Sequence, residues 1–164
     1  MNWYIAIKFL HIIAVIMFVG SLFARQLVRR YANQTNDIRV FTTLSHAAGK
    51  IEGILVIPGS QATLVLGIIL ALIGHFPILG FLQGASQNWL LVSNILLIVI
   101  LVLVPTIFIP RGKKFEPILQ AALAKGEVTQ ELRATMDDKV VKLAHLYEEI
   151  ATIIIVALMV LKPF

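Results

Sequence analysis

Four long apolar runs constrain this chain more than any other feature. They lie at about residues 3–24, 51–73, 89–109 and 145–161. A helix needs roughly 20 apolar residues to cross a bilayer. The first three runs meet that length outright. The last is short in strictly apolar residues, Ile150–Leu161, and spans only if its helix begins earlier and takes in His145, Glu148 and Glu149 at its mouth. The expected fold is all-α: one antiparallel four-helix transmembrane bundle, a single membrane domain over residues 1–164. Glu131–Leu161 reads as one long helix whose first half lies outside the membrane. The first run is not a cleavable signal, because it lacks a basic leader and Arg25, Arg29 and Arg30 follow it like a stop-transfer flank.

Composition agrees. The chain is 59% hydrophobic and 14% charged, against about 45–50% and 25% in soluble domains. A soluble enzyme, a disordered chain and a nucleic-acid-binding module are excluded. The absence of Cys removes disulfides, thiolate metal sites and thiol nucleophiles.

The net charge of +5 is a matter of position. Twelve of the 14 Lys and Arg side chains fall in two connections, between spans one and two and between spans three and four. The connection Gly74–Asn88 has none. The positive-inside rule therefore predicts a multi-pass protein of the bacterial cytoplasmic (inner) membrane, with basic loops in the cytoplasm touching anionic lipid and both termini outside. Trp3, Tyr4 and Trp89 are expected at the outer interface, Tyr31 and Tyr147 at the inner one. Tyr31–Asp37 reads as a polar turn. Phe115–Ala124, closed by Gly126, reads as a short amphipathic interfacial helix, and Thr129 as the cap of the last helix.

Polar residues inside hydrocarbon each need a partner or a task. His11 lies about eight residues into span one, roughly 12 Å deep at 1.5 Å per residue. It is a hydrogen-bonding residue between helices, a cofactor ligand or a proton relay. Pro58 predicts a kink in span two. Gln61 and Thr63 follow it, and Ser93 and Asn94 enter span three at nearly the depth of His11. His11, Gln61, Thr63, Ser93 and Asn94 are thus candidates for the wall of a polar cavity in the outer half. Pro110-Arg111-Gly112 reads as the exit of span three. His46, Lys50, Glu52, His145, Glu148 and Glu149 gather at the inner mouth, where ion pairs to Arg25 or Lys50 are expected. His75 reads as a solvated loop residue. Gly20 and Ala24, spaced small-xxx-small, predict one tight helix contact, within the bundle or to a partner.

Several segments resemble one family. They are Lys8-Phe-Leu-His11 through Gly20, Pro58 followed by Gly67, Lys142-Leu-Ala-His145-Leu-Tyr-Glu148, and the closing Leu158-Met-Val-Leu-Lys-Pro163. Together they look like a family of predicted bacterial integral membrane proteins of unknown function. More distantly, the K-x-x-H of helix one and the Pro…Gly of helix two are similar to copper-resistance D-type membrane domains and to the haem-binding, four-helix protoporphyrinogen oxidase of bacteria. That second resemblance implies haem b with His11 as an axial ligand, and Met17 or Met159 are available as a sixth ligand. Where the oxidase pattern W-L-x-x-K has lysine, this chain has Ser93.

Three functions follow as expectations: a redox or carrier protein holding a tetrapyrrole near His11, an accessory subunit that meets other membrane subunits or its own copies, and a membrane oxidase.

Overall fold

In the computed structural model, which describes residues 3–164, every long element is helical. Helix α1 covers Trp3–Gln34. The polar turn is shorter than expected, because the helix persists to Gln34, and Asp37 caps α2 (Ile38–Ile51) by accepting the N–H groups of Arg39 and Val40. A π-turn over Glu52–Val56 joins α2 to α3 (Ile57–Ile73) without a break. After the Gly74–Asn88 connection, α4 (Trp89–Leu103) passes through a second π-turn, Val104–Phe108, into α5 (Ile109–Lys125). Two last helices follow, α6 (Gln130–Met136) and α7 (Lys139–Leu161). Four helical stretches are long and apolar enough to cross a membrane.

The two π-turns have the same cause. Each is followed by Ile-Pro, at Pro58 and Pro110. A proline has no N–H and crowds the carbonyl four residues back, which is Ile54 or Thr106. The ladder escapes by widening: Ile57 bonds to the carbonyl of Glu52 and Ile109 to that of Val104, five residues back. The widened turn keeps the helix whole. Pro110-Arg111-Gly112 is therefore not an exit, and Phe115–Ala124 is the continuation of the third span, ended by Gly126 in the left-handed conformation.

The long helix expected over Glu131–Leu161 is two helices. Asp138 interrupts it by capping α7, accepting N–H bonds from Val140 (2.8 Å) and Val141 (3.2 Å). Thr129 caps α6 through Leu132 N–H, as the sequence implied.

The spans pair unevenly. α1 packs chiefly on α3, and α4 chiefly on α7. Small residues allow the first pairing: a Cβ on Gly59 would lie 3.1 Å from the Cα and N of Phe18. The two pairs meet along a seam whose middle is an apolar plug from all four spans, including Phe18, Leu22, Val56, Leu97, Ile100 and Ala151. One end of the bundle, the basic end, has its own small core of Ile38, Phe41, Leu119, Ala122 and Leu132. Arg133 ties it to the α1–α2 turn through the carbonyls of Asn33 (2.8 Å) and Thr35 (2.9 Å). At the far end the carbonyl of Phe164 accepts the N–H groups of Asn88 (2.9 Å) and Trp89 (3.1 Å), completing the start of α4.

Candidate functional site

The seam opens at both ends of the plug. Toward the far end it forms a cleft of about 320 Å³, walled by α1, α3, α4 and α7. The floor includes Phe18 and Leu97, and aliphatic side chains such as Val15, Leu64 and Ile155 make up most of the walls. Trp89 belongs to this wall. It is buried against Phe76 (edge-on, 5.8 Å between centroids) instead of standing at a lipid interface as its position near a helix start implied.

Four of the five predicted wall residues meet here: His11, Thr63, Ser93 and Asn94. Gln61 does not. It is exposed on the outside of α3, because two residues along a helix turn the side chain by about 200°. Thr152, on α7, completes the polar set and went unnoticed in the sequence; a lone hydroxyl within Ala-Thr-Ile-Ile-Ile was its only signal.

The hydrogen bonds of these residues separate them. Ser93 donates to the carbonyl of Trp89 at 2.8 Å, within its own helix. The Oγ atoms of Thr63 and Thr152 and Nδ1 of His11 are buried with no hydrogen-bond partner among the described residues. They belong to α3, α7 and α1, three walls of one cleft. A buried polar group without a partner costs about 1–3 kcal/mol unless something completes it; Arg25 Nε, Ser45 Oγ, Glu52 Oε1 and His145 Nε2 at the basic end are in the same position. The imidazole of His11 lies over Gly67, where a Cβ would come within 3.1 Å of Cε1. Gly67 is thus what lets the ring sit between α1 and α3. The donors suit a haem in kind, with His11 and the thioether of Met159 both lining the cleft, but His11 must leave its groove over Gly67 to reach an iron.

On the other side of the plug the chemistry changes. Arg25 is almost wholly buried (1% exposed). Its guanidinium pairs with Glu52, and Nη2 donates to Glu148 at 2.7 Å. The same Glu148 oxygen meets His145 Nδ1 at 2.9 Å. Phe108 stacks on His145, 4.5 Å between centroids, and lies 6.0 Å from the Arg25 guanidinium carbon. Helical spacing puts Arg25, Glu148 and Glu52 one turn beyond Leu22, Ala151 and Val56 of the plug. Glu52 opens one π-turn and Phe108 closes the other, so both widened turns deliver a residue to this cluster. The expected ion pairs to Arg25 are present. His46 instead faces Glu116 at 3.9 Å on the surface, and His75 is exposed in its loop. Beyond the cluster a second cavity of about 490 Å³ is lined by Arg29, Lys50, Arg111 and the outer faces of the same groups.

Gly20 and Ala24 are exposed, and nothing lies within 4 Å of where a Gly20 Cβ would stand. Their tight contact is not inside this bundle.

The four membrane-length helices agree with what nearly the whole chain matches. The chain belongs to the family described as Predicted integral membrane protein (DUF2269), whose model covers residues 5–163. Comparison with curated proteins and with solved structures finds no match.

Proposed function

We propose that this integral membrane protein binds an apolar small molecule in the far-end cleft, in a carrier or redox role. The observation that supports this is a largely aliphatic cleft whose lining includes His11, Thr63 and Thr152, each with a buried polar atom that has no partner among the described residues. A lipophilic body satisfies the walls, and polar groups on it satisfy the three atoms. Haem b is one such molecule: His11 would ligate it after leaving Gly67, and it would supply electron transfer. The first test is an absorption spectrum, oxidised and reduced, of mildly solubilised protein. A Soret band lost in His11→Ala identifies haem. A flat spectrum turns the test to solvent extraction and mass spectrometry, where a lipophilic molecule in stoichiometric amount is expected. Its retention in Ile155→Trp, which fills the cleft, overturns the reading.

We also infer that the basic end faces the bacterial cytoplasm and meets anionic headgroups. The bias of Lys and Arg toward two connections supports it. Labelling of single cysteines at Asn36 and Ser86 from either side of the inner membrane tests it, and labelling of Asn36 from outside overturns it.

A second reading, association with another membrane subunit or a second copy, is favoured by the outward-facing Gly20 and Ala24. Gly20→Leu should then abolish a cross-linked or co-purified partner without disturbing the monomer. Unchanged partner recovery counts against it.

A further inference from the structure

The charges around the cleft name the class of its ligand. Two ammonium groups line it, Lys8 on α1 and Lys162 just past α7, and no Asp or Glu does. Lys162 is held in place. Its backbone adopts a left-handed conformation (φ 46°), and Nζ lies 5.0 Å from the centroid of Phe76 and 5.3 Å from that of Trp89. Both rings belong to the cleft wall. Lys8 stands one turn before His11, on the side of α1 that the cleft takes. No carboxylate lies within salt-bridge distance of either lysine among the described residues.

The cleft's depth gives a second restriction. From Lys8 to Phe18 is ten residues of α1, roughly 15 Å at 1.5 Å per residue. That length is about half of the ~30 Å hydrocarbon core. The cavity is therefore positive at its mouth, apolar along its length and closed by the plug.

We propose that the ligand is a single-tailed anionic amphiphile, its acidic head between Lys8 and Lys162 and its chain running down the cleft toward Phe18. This rests on the cleft reading above and deepens it. The head finds two cations at the exposed mouth, where each pairing contributes modestly. Thr63 and Thr152 lie deeper, so the reading also favours a chain carrying an oxygen over a plain alkane. The class is colourless, and a Soret band in the purified protein overturns it.

The experiment uses the full chain in nanodiscs of zwitterionic lipid, with Trp3→Phe leaving Trp89 as the single tryptophan. Chain-brominated lauric acid, lauryl phosphate, lauryl alcohol and laurylamine are titrated, and quenching of Trp89 is followed. The acid or the phosphate should quench at a concentration at least about threefold below the alcohol, the gain of one partly exposed ion pair. The amine should be weakest. Which anion quenches first identifies the head as carboxylate or phosphate. Lys8→Gln should erase the advantage of the anions, and Lys8→Arg should keep it. Where Lys8→Gln fails to fold, retention of the bound acid by Lys162→Gln, read by mass spectrometry, decides in its place. Equal quenching by all four heads overturns the anionic class while the cleft reading stands. No saturable quenching by any of them overturns both.

Discussion

The two cavities share one seam, yet their polar groups are handled in opposite ways. At the basic end the buried charges pair with one another, while Arg25 Nε, Glu52 Oε1 and His145 Nε2 keep no partner among the described residues: Arg25 is held by Glu52 and Glu148, and Glu148 also holds His145. The far-end cleft is walled mainly by aliphatic side chains; its buried polar atoms on His11, Thr63 and Thr152 lack a partner among the described residues, and its two charges, Lys8 and Lys162, stand exposed at the mouth. A buried charge left alone costs several kcal/mol, so the basic end has to be closed internally. A buried hydroxyl costs less, so a ligand site can carry it. The first region ties the chain together; on the reading proposed above, the second receives a ligand.

The largest expected effect breaks this comparison most directly. Arg25→Met leaves Glu148 and Glu52 without their cation, and removing one partner of a buried pair costs about 3–5 kcal/mol. Thermal unfolding in mild detergent should show a severe loss. A melting temperature equal to wild type would remove the structural role assigned to the cluster. Next in size is Gly59→Ala. Its Cβ meets backbone atoms of Phe18, which cannot step aside alone, so α1 and α3 separate at a cost of about 1–3 kcal/mol. Gly20→Leu, with open space around it, should leave the melting of the monomer unchanged; equal losses in the two variants contradict the packing described.

Thr152→Val sharpens the other side. It keeps the shape and deletes an unpartnered hydroxyl, so the ligand-free protein should be unchanged or more stable by up to about 1 kcal/mol. Binding of the extracted ligand should weaken. A loss of stability with unchanged binding would assign Thr152 to the fold. The smallest effect is at Asp138. A hydrogen bond from Arg111 (2.8 Å), then those from the N–H groups of Val141 and Val140, hold its carboxyl below the ordinary carboxylate value. Its contribution is complete above that ordinary value and is lost as pH falls through the lowered one. Asp138→Asn should therefore differ from wild type by a small, constant amount at neutral and mildly acidic pH and converge with it only in strong acid. A difference that grows as pH falls from neutral contradicts this assignment.

The spans were legible because a bilayer demands long apolar runs, and these survive any packing detail. The grouping of His11, Thr63, Ser93 and Asn94 was legible because depth follows from counting residues. Facing does not follow from depth, and Gln61 shows it: the right level, the wrong side of α3. The continuity of the third span was hidden by Pro110, since proline ordinarily ends a helix. A widened turn two residues earlier reverses that outcome; Pro105, within Val-Pro-Thr-Ile-Phe, signals an irregular turn but not that the helix carries on. Trp89 was assigned to the membrane interface by residue type, while its burial depends on Phe76 and Lys162 arriving from elsewhere in the chain.

The widened turns have a consequence for phase. Each holds one residue more than an α-helical turn would need, and one residue is about 100° of rotation. The apolar stripe of α3 and that of α2 are therefore out of step by design, as are those of α4 and α5. Deleting Gly53 would bring α2 into α-helical phase with α3. That would swing Phe41 out of the basic-end core and take the helix face that Arg25 meets with it. Each of these two long helices works as two differently aimed pieces, one cut to the cleft and the other to the ion-paired end.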